Sequence, residues 1–194
     1  MDKRIILASA SKGRSEMFDD IGLPYVAIPA DIDETIPWEN PAEEIKGLAV
    51  KKALQCHKDN PDRTERWIAA ADTLVVFDGK PIGKPRDIEH AREQLHKLAG
   101  RDHKVISGVA LYDREADKVY SDVDTTIVTF APLSDEEIEW YISTGEWKGA
   151  AGSYRSQHNG AFIIEKINGS FSNVIGLPLR KLYNIMRIAG YPVK

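Results

Sequence analysis

The chain begins with a short apolar run that ends abruptly in a polar loop. Ile5–Ala8 is followed at once by the loop 9–14, and a helix-like stretch then continues to Ile21 and stops at Gly22. This order predicts a buried strand, a tight loop and the start of a helix. Strand-like and helix-like segments keep alternating along the rest of the chain, so the sequence favours a mixed α/β fold.

The polar loop carries groups that bind anions. Ser9 and Ser11 offer hydroxyl groups, Arg14 offers a guanidinium, and a helix N-terminus has unpaired N–H groups and the positive end of its dipole. Phosphate binding is one interpretation of this pattern. In the other, Ser11 only caps the helix and Arg14 is solvated in its first turn. The glycine pattern of a Walker loop is absent.

Further elements are predicted from apolar periodicity and turn residues. Strands are expected at Tyr25–Ile28, Ile68–Ala71, Leu74–Phe77, in a hairpin of Val105–Tyr112 with Val119–Phe130, and in a second hairpin of Ala161–Ile167 with Phe171–Ile175. Helices are expected at residues 42–57, from the N-cap Asp87 to Leu98, from the capping box of Ser134 and Glu137, and between Pro178 and Gly190.

Composition narrows the function. The 194 residues are 42% hydrophobic and 29% charged, which is ordinary for a globular domain. The formal net charge of -4 argues against a nucleic-acid coat. Cys56 is the only cysteine, so a disulfide framework is not expected. Neither a signal peptide nor a membrane span is recognisable, and we expect a cytoplasmic protein that binds no membrane.

Asp72 interrupts the most apolar part of the chain. It stands between Ile68–Ala71 and Leu74–Phe77. A buried carboxylate is costly unless it is paired, bound to metal or turned into a cleft, so Asp72 is a candidate functional residue. Alternatively, Asp72 marks a bend and caps backbone N–H groups.

Two more charged residues stand in unusual places. Lys52 falls on the apolar stripe of its helix, between Leu48 and Cys56, so it either snorkels to solvent or reaches an anion. Glu34, in an acidic loop, could join Asp72 as a second oxygen ligand for magnesium.

Two polar loops complete the set of candidates. Lys84 lies in a Gly-Lys-Pro turn, where Pro85 biases it toward an extended conformation. Residues 145–160 form a long loop with aromatic, amide and hydroxyl side chains. Long loops in compact domains are often functional, although Trp147 and Tyr154 could simply anchor a surface excursion.

Together these segments resemble the Maf family of nucleoside triphosphate pyrophosphatases, nearly from end to end. The family-like pieces are Leu7–Ser11 with Arg14, Asp33-Glu34, Lys52-Ala53, Ala71–Thr73, Gly83–Asp87, Ser107–Val109, Ala151–Tyr154, Gly169-Ser170 and Asn173–Leu179. Any one of them is weak, but their order and spacing make the resemblance specific.

The resemblance implies a single domain over residues 1–194, with two lobes around a central cleft on a long mixed sheet, similar to inosine-triphosphate pyrophosphatase. It also implies a homodimer and a divalent metal, Mg²⁺ or Mn²⁺. Proteins of this family cleave nucleoside triphosphates between the α and β phosphates and are thought to clear non-standard or surplus nucleotides. Some members have been linked to septum formation and arrest of cell division.

The resemblance also implies roles for individual residues. Asp72 matches the proposed proton acceptor, with a metal-binding role left open, and Glu34 would be a metal partner. The triphosphate would be held by Ser9, Ser11, Arg14, Lys52 and Lys84.

Three positions matter for the choice of base: Gly13, Thr73 and Gln157. One family branch acts on dTTP and UTP, and another acts on 7-methyl-GTP. Gln157 and Thr73 match the pyrimidine branch. A glutamine amide both donates and accepts, as the N3–H and O4 of uracil or thymine require, whereas glutamate only accepts.

Gly13 departs from the pyrimidine pattern, which usually has arginine there. Lys12 or Arg155 could replace the missing guanidinium, and Arg155, Ser156 and His158 also differ from the usual residues. We therefore expect a dTTP and UTP pyrophosphatase. The alternatives are a 7-methyl-GTP pyrophosphatase and a nucleotide-binding regulator of cell division without significant turnover.

Overall fold

A computed structural model describes residues 3–192 as a mixed α/β protein, as the alternating pattern predicts. The strands are β1 (Ile5–Leu7), β2 (Tyr25–Ala27), β3 (Trp67–Phe77), β4 (Lys80–Ile82), β5 (Asp102–Asp113), β6 (Lys118–Phe130) and β7 (Ile164–Asn168). The helices are α1 (Lys12–Asp20), α2 (Pro41–Asp59), α3 (Ile88–Leu98), α4 (Asp135–Thr144), α5 (Gly160–Ile163), α6 (Phe171–Ile175) and α7 (Leu179–Ile188). Among residues 3–192, no helix is long and apolar enough to cross a membrane.

These strands form one mixed sheet. Their order is β2-β1-β3-β5-β6-β7, and β4 pairs with β3 outside this path. β1 runs parallel to both β2 and β3, while β4 and β7 run antiparallel to their neighbours. All three residues of β1 are buried, as expected for a strand with a parallel partner on each side.

β3 is one continuous strand where the sequence suggests two. Asp72 and Thr73 lie within its eleven residues rather than in a bend. The strand ends in a two-residue turn in which Asp78 and Gly79 both have positive φ angles, 49° and 72°. This turn geometry connects β3 to the antiparallel β4.

The chain folds into two compact units. Among the described residues, unit 1 comprises 3–73, Ser107–Asp124 and 176–192; unit 2 comprises Leu74–Ile106 and Thr125–Ile175. In unit 1, α2 packs on the strands through small residues. A Cβ atom at Gly108 would lie 2.5 Å from the carbonyl oxygen of Ile45, so the close approach of α2 to β5 requires glycine.

Unit 2 has an aliphatic and aromatic core of its own. Leu95 and Leu98 of α3 and Ile138 of α4 are fully buried in it. Phe130 and Tyr154 meet edge to face, with 4.8 Å between their ring centroids. The capping box of Ser134 and Glu137 that begins α4 is confirmed.

The second predicted hairpin is wrong. Its first half contains the short helix α5 and the strand β7, and its second half is the helix α6. Ser170 accepts a hydrogen bond from the N–H of Asn173 at the start of α6. The side chain of Asn173 donates to the carbonyl oxygen of Val105 and to the hydroxyl of Thr126, both at 3.0 Å. A buried asparagine with these partners fixes a helical turn that apolar patterning alone did not indicate.

Candidate active site

The loop after β1 is built around Ser9. Ser11 occupies the N-cap position of α1, yet its side chain makes no capping hydrogen bond. Its N–H instead donates to the Ser9 hydroxyl at 3.1 Å, and Nη1 of Arg14 donates to the same oxygen at 3.1 Å. Because both lone pairs of this oxygen are occupied, the Ser9 O–H is left as a donor for an anion. The interpretation of Ser11 as a side-chain cap is wrong.

Arg14 is buried rather than solvated. Its Nε donates to the carbonyl oxygen of Gly176 at 2.8 Å, and its Nη2 donates to the Thr73 hydroxyl at 3.1 Å. Together with the bond to Ser9, three of its five N–H groups have partners within residues 3–192, and the other two can bind a ligand. Burial lowers the pKa of Arg14, and the carboxylates of Asp72 and Glu34 oppose this effect.

Lys52 joins the two candidate carboxylates. It lies on the buried face of α2 and is 8% exposed, so the inward orientation is confirmed. Its Nζ lies 2.8 Å from Oδ1 of Asp72 and 2.5 Å from Oε1 of Glu34. Asp72 is 9% exposed within β3, so its interpretation as a bend residue is wrong. One cation therefore bridges a buried and an exposed carboxylate.

The cluster of Arg14, Glu34, Lys52 and Asp72 contains two cations and two carboxylates, whose formal charges cancel. Buried charges require such partners, because an unpaired one would lose several kcal/mol of hydration. The cluster therefore holds opposite charges close together, and its net charge is small. Positive groups of a ligand can pair with its carboxylates, and negative groups of the same ligand can pair with its cations.

The same cluster fits a hard divalent cation. Glu34 and Asp72 converge on one point, the Lys52 ammonium, and carboxylate oxygens are the ligands that Mg²⁺ and Mn²⁺ prefer. Within residues 3–192, no group of three or more His, Cys, Asp or Glu side chains is arranged to hold a metal. A metal at Glu34 and Asp72 would therefore take its other ligands from water or substrate, as Mg²⁺ commonly does.

Thr73 has a saturated hydroxyl group. Besides the bond from Arg14, it lies 2.9 Å from the Ser107 hydroxyl and donates to the Gly176 carbonyl oxygen at 3.2 Å. A hydroxyl group has one hydrogen and two lone pairs, so none remains for a nucleotide base. Sequence reasoning did not assign site roles to Ser107 and Gly176. The signal for Ser107 was a hydroxyl within an apolar strand, whereas Gly176 acts through its backbone oxygen.

Gly13 and its neighbour differ sharply in exposure. Gly13 is buried in the first turn of α1. The side chain of Lys12 is 87% exposed and pairs with Glu16 at 3.2 Å, one helical turn later. Lys12 is thus engaged on the surface of α1.

Lys84 belongs to unit 2, in the connection from β4 to α3. The carbonyl oxygen of Gly83 just before it accepts from the N–H of Gly152 at 3.2 Å and from Nε2 of Gln94 at 3.3 Å. The Lys84 side chain lines a pocket of about 320 Å³. Its backbone is held while its ammonium group stays exposed.

Gln157 is half-buried in the loop after α4, also in unit 2. Its backbone carbonyl oxygen accepts a hydrogen bond from the N–H of Gly160 at 3.1 Å. A Cβ atom at Gly160 would lie 1.6 Å from the carbonyl oxygen of Arg155, so the turn requires glycine. Arg155 itself is exposed, and its Nη2 donates to the Lys148 carbonyl oxygen at 3.1 Å.

The structure thus gathers Ser9, Arg14, Glu34, Lys52, Asp72 and Thr73 within unit 1, with Ser11 bonded to Ser9. Lys84 and Gln157 stand on two loops of unit 2. Fold and cluster together define a mixed α/β protein with paired carboxylates and anion-binding groups after its first strand. The chain belongs to the Maf-like protein family, whose model matches residues 4–189. The resemblance drawn from the motifs is confirmed.

Curated relatives align over nearly the whole chain. A dTTP/UTP pyrophosphatase of Syntrophotalea carbinolica is 42% identical over 190 residues, which cover 97% of this chain and 86% of that protein. One of Geobacter sulfurreducens is 43% identical over 189 residues, covering 96% and 97%. Another, of Symbiobacterium thermophilum, is 38% identical over 192 residues, covering 98% and 96%.

Proposed function

We propose that this chain, as a single domain over residues 1–194, hydrolyses dTTP and UTP to the nucleoside monophosphate and pyrophosphate, and so clears non-standard or surplus nucleotides. The observation that carries the proposal is the contact of Lys52 with both Asp72 and Glu34, in the same unit as the Ser9 and Arg14 donors. The names of the relatives support the same activity.

In this proposal, the triphosphate is held by donors that the fold leaves unused. Ser9 contributes its O–H and Arg14 its two remaining N–H groups. Ser11 contributes its hydroxyl, and Lys84 adds an ammonium group from its own loop. These groups offset the charge that develops on the pyrophosphate leaving group.

Asp72 serves as the base. Its Oδ1 oxygen accepts from Lys52, which leaves Oδ2 to orient a water molecule. The carboxylate takes one proton from this water molecule while the oxygen of the water forms a bond to the α-phosphorus. The bond from that phosphorus to the bridging oxygen breaks, and pyrophosphate leaves with both electrons of this bond.

Glu34 and Asp72 would hold Mg²⁺ or Mn²⁺, which would neutralise phosphate charge. The Lys52 ammonium, which now bridges the two carboxylates, would then turn to a phosphate oxygen. Whether Asp72 acts as base, as ligand or as both is separable by substitution, because asparagine keeps a metal-binding oxygen but is not a base.

Base choice would come from Gln157, whose amide complements uracil and thymine. Thr73 would act indirectly, since its hydroxyl is spent on Arg14, Ser107 and Gly176. Gly13 would lack the guanidinium that the pyrimidine branch usually has at this position. Lys12 or Arg155 would have to leave its present partner to replace that guanidinium.

The direct test is a metal-dependent screen of the purified protein. Pyrophosphate release is measured with dTTP, UTP, CTP, 7-methyl-GTP and the common purine triphosphates, with Mg²⁺, Mn²⁺ or chelator. We expect dTTP and UTP to be the best substrates and chelator to abolish turnover. A preference for 7-methyl-GTP would assign the protein to the other branch. Nucleotide binding without release from any substrate would favour the cell-division regulator.

We also propose that the enzyme works in the cytoplasm as a homodimer, independently of nucleic acid and membranes. This part rests on the family resemblance and on the acidic net charge. Light scattering coupled to size-exclusion chromatography tests the dimer. A monomeric mass with full activity would contradict it.

A further inference from the structure

Gln94 is a buried amide on the apolar face of α3. The other buried residues of this helix are Ala91, Leu95 and Leu98, and Gln94 itself is 6% exposed. An apolar side chain of similar length would satisfy the packing of this face, and burying an amide is favourable only when its polar atoms are bonded. The contacts of Gln94 therefore indicate why an amide stands here.

The first contact of Gln94 is with the peptide that precedes Lys84. Nε2 of Gln94 donates to the carbonyl oxygen of Gly83 at 3.3 Å, and the N–H of Gly152 donates to the same oxygen at 3.2 Å. Pro85 restricts the backbone of Lys84 from the other side. The peptide that precedes Lys84 is thus held by two donors, and the Gln94 and Lys84 side chains line the same pocket.

The second contact of Gln94 is with Ser153, in the loop that contains Gln157. The Ser153 hydroxyl donates to Oε1 of Gln94 at 2.6 Å. Ser153 is fully buried and has a positive φ angle of 62°, a strained conformation for serine. The next residue, Tyr154, bonds to Nε2 of His103 at 2.8 Å, so the loop is anchored three residues before Gln157.

One side chain therefore bonds to both loops. We infer that Gln94 is a positioning residue. It fixes the position of the Lys84 peptide relative to the Ser153–Gln157 segment, and thereby sets both triphosphate affinity and base selectivity. This inference rests on the proposed function only for the roles of Lys84 and Gln157. The relative position of the two loops is a property of unit 2 alone.

The main test is Gln94→Met, which keeps side-chain length and apolar packing. It removes the bonds to Gly83 and Ser153, and also the 3.2 Å contact with Nε2 of His90 one turn earlier in α3. We expect KM for dTTP and UTP to rise about tenfold, kcat to change less than about threefold, and the preference for UTP over CTP to fall about tenfold. Amide hydrogen exchange should accelerate about tenfold in residues 83–87 and 151–157. The melting temperature should change by only a few degrees.

Two further variants separate the bonds and the chemistry of the substitution. Gln94→Glu keeps the acceptor for Ser153 but places an oxygen against the Gly83 carbonyl oxygen. It should raise KM while preserving base selectivity. Gln55→Met is the matched control, because the Gln55 amide bonds to Asp59 one turn along α2, at 2.7 Å, and to no loop among residues 3–192. It should change neither KM nor exchange.

The failures are distinguishable. If the unaltered protein releases no pyrophosphate from any triphosphate, the proposed function is overturned, and hydrogen exchange alone decides the positioning role. If Gln94→Met leaves exchange in both segments unchanged, the positioning role is overturned even in an active enzyme. Faster exchange with unchanged KM and selectivity would overturn the assignment of these loops to substrate binding.

Discussion

The two units bury polar groups of different kinds. Unit 1 buries charged side chains: Arg14, Lys52 and Asp72 are each less than 10% exposed. Unit 2 buries neutral ones, in the pairs of Gln94 with Ser153 and of His103 with Tyr154. Burial lowers the pKa of His103 to about 4, so even its titratable group is neutral near pH 7.

This difference reflects what each kind of group can do. A buried charge costs several kcal/mol of hydration and therefore needs an oppositely charged partner, as Asp72 has in Lys52 and Asp113 has in Arg66. A buried neutral hydrogen bond contributes about 1 kcal/mol and fixes geometry without creating a field. In the proposed function, unit 1 carries the charged groups of the reaction, and unit 2 carries the loops that bind the substrate.

The largest expected effect comes from Asp72→Asn. Because asparagine cannot accept the proton of water, kcat should fall about a thousandfold while nucleotide binding persists. Steady-state pyrophosphate release and calorimetric titration with the nucleotide measure the two quantities. Retained turnover would exclude Asp72 as the base.

Asp113→Asn is the matched control in the same unit. Asp113 is 1% exposed and accepts two hydrogen bonds from Arg66, at 2.8 and 2.7 Å. Its substitution should lower the free energy of unfolding by about 3 kcal/mol, because it weakens a buried ion pair, and leave kcat within about threefold. Equal losses of kcat in both variants would mean that the Asp72 effect is structural.

A second prediction concerns acid stability in unit 2. His103 titrates near 6.5 in the unfolded chain and at about 4 in the fold, so the unfolded state takes up the proton first. The neutral His103 ring contributes fully to the free energy of unfolding above pH 6.5, and this contribution is lost as the pH falls toward 4. The loss is roughly 2.5 kcal/mol at pH 4.5. Urea unfolding at pH 7.5 and 4.5 measures this loss.

The variant His103→Gln removes the titrating group. Its stability loss between the two pH values should be smaller than that of the unaltered protein by roughly 2.5 kcal/mol. Other acidic and basic groups cancel in this difference. Equal losses would mean that His103 is charged in the fold, and the contrast between the units would break down.

The smallest expected effect comes from the glycines around α2. Gly108→Ala places a Cβ atom 2.5 Å from the Ile45 carbonyl oxygen, so α2 must shift. We expect a loss of about 2 kcal/mol in unfolding free energy and a higher KM, because α2 carries Lys52. In contrast, a Cβ atom at Gly47 meets nothing within 4 Å, and Gly47→Ala should stabilise by up to about 1 kcal/mol. Urea unfolding and kinetics of both variants measure these effects.

Much of the fold follows from local sequence. The break after β1, the capping box at Ser134 and the Asp78-Gly79 turn act over a few residues, and each lies where it was predicted. The second hairpin was wrong because Asn173 finds its acceptors on Val105 and Thr126, which are distant in sequence. Apolar patterning carries no information about such partners.

For the site, the sequence alone determined which residues are anomalous. A carboxylate in an apolar strand and a lysine on an apolar stripe violate burial rules locally, so Asp72 and Lys52 stand out without a structure. Only the tertiary structure decided that these two residues are partners, that Arg14 is buried against the Gly176 carbonyl oxygen, and that Gln94 joins two loops. The physical reason is that hydrogen bonds and ion pairs depend on distances of about 3 Å, which chain folding sets between residues far apart in sequence.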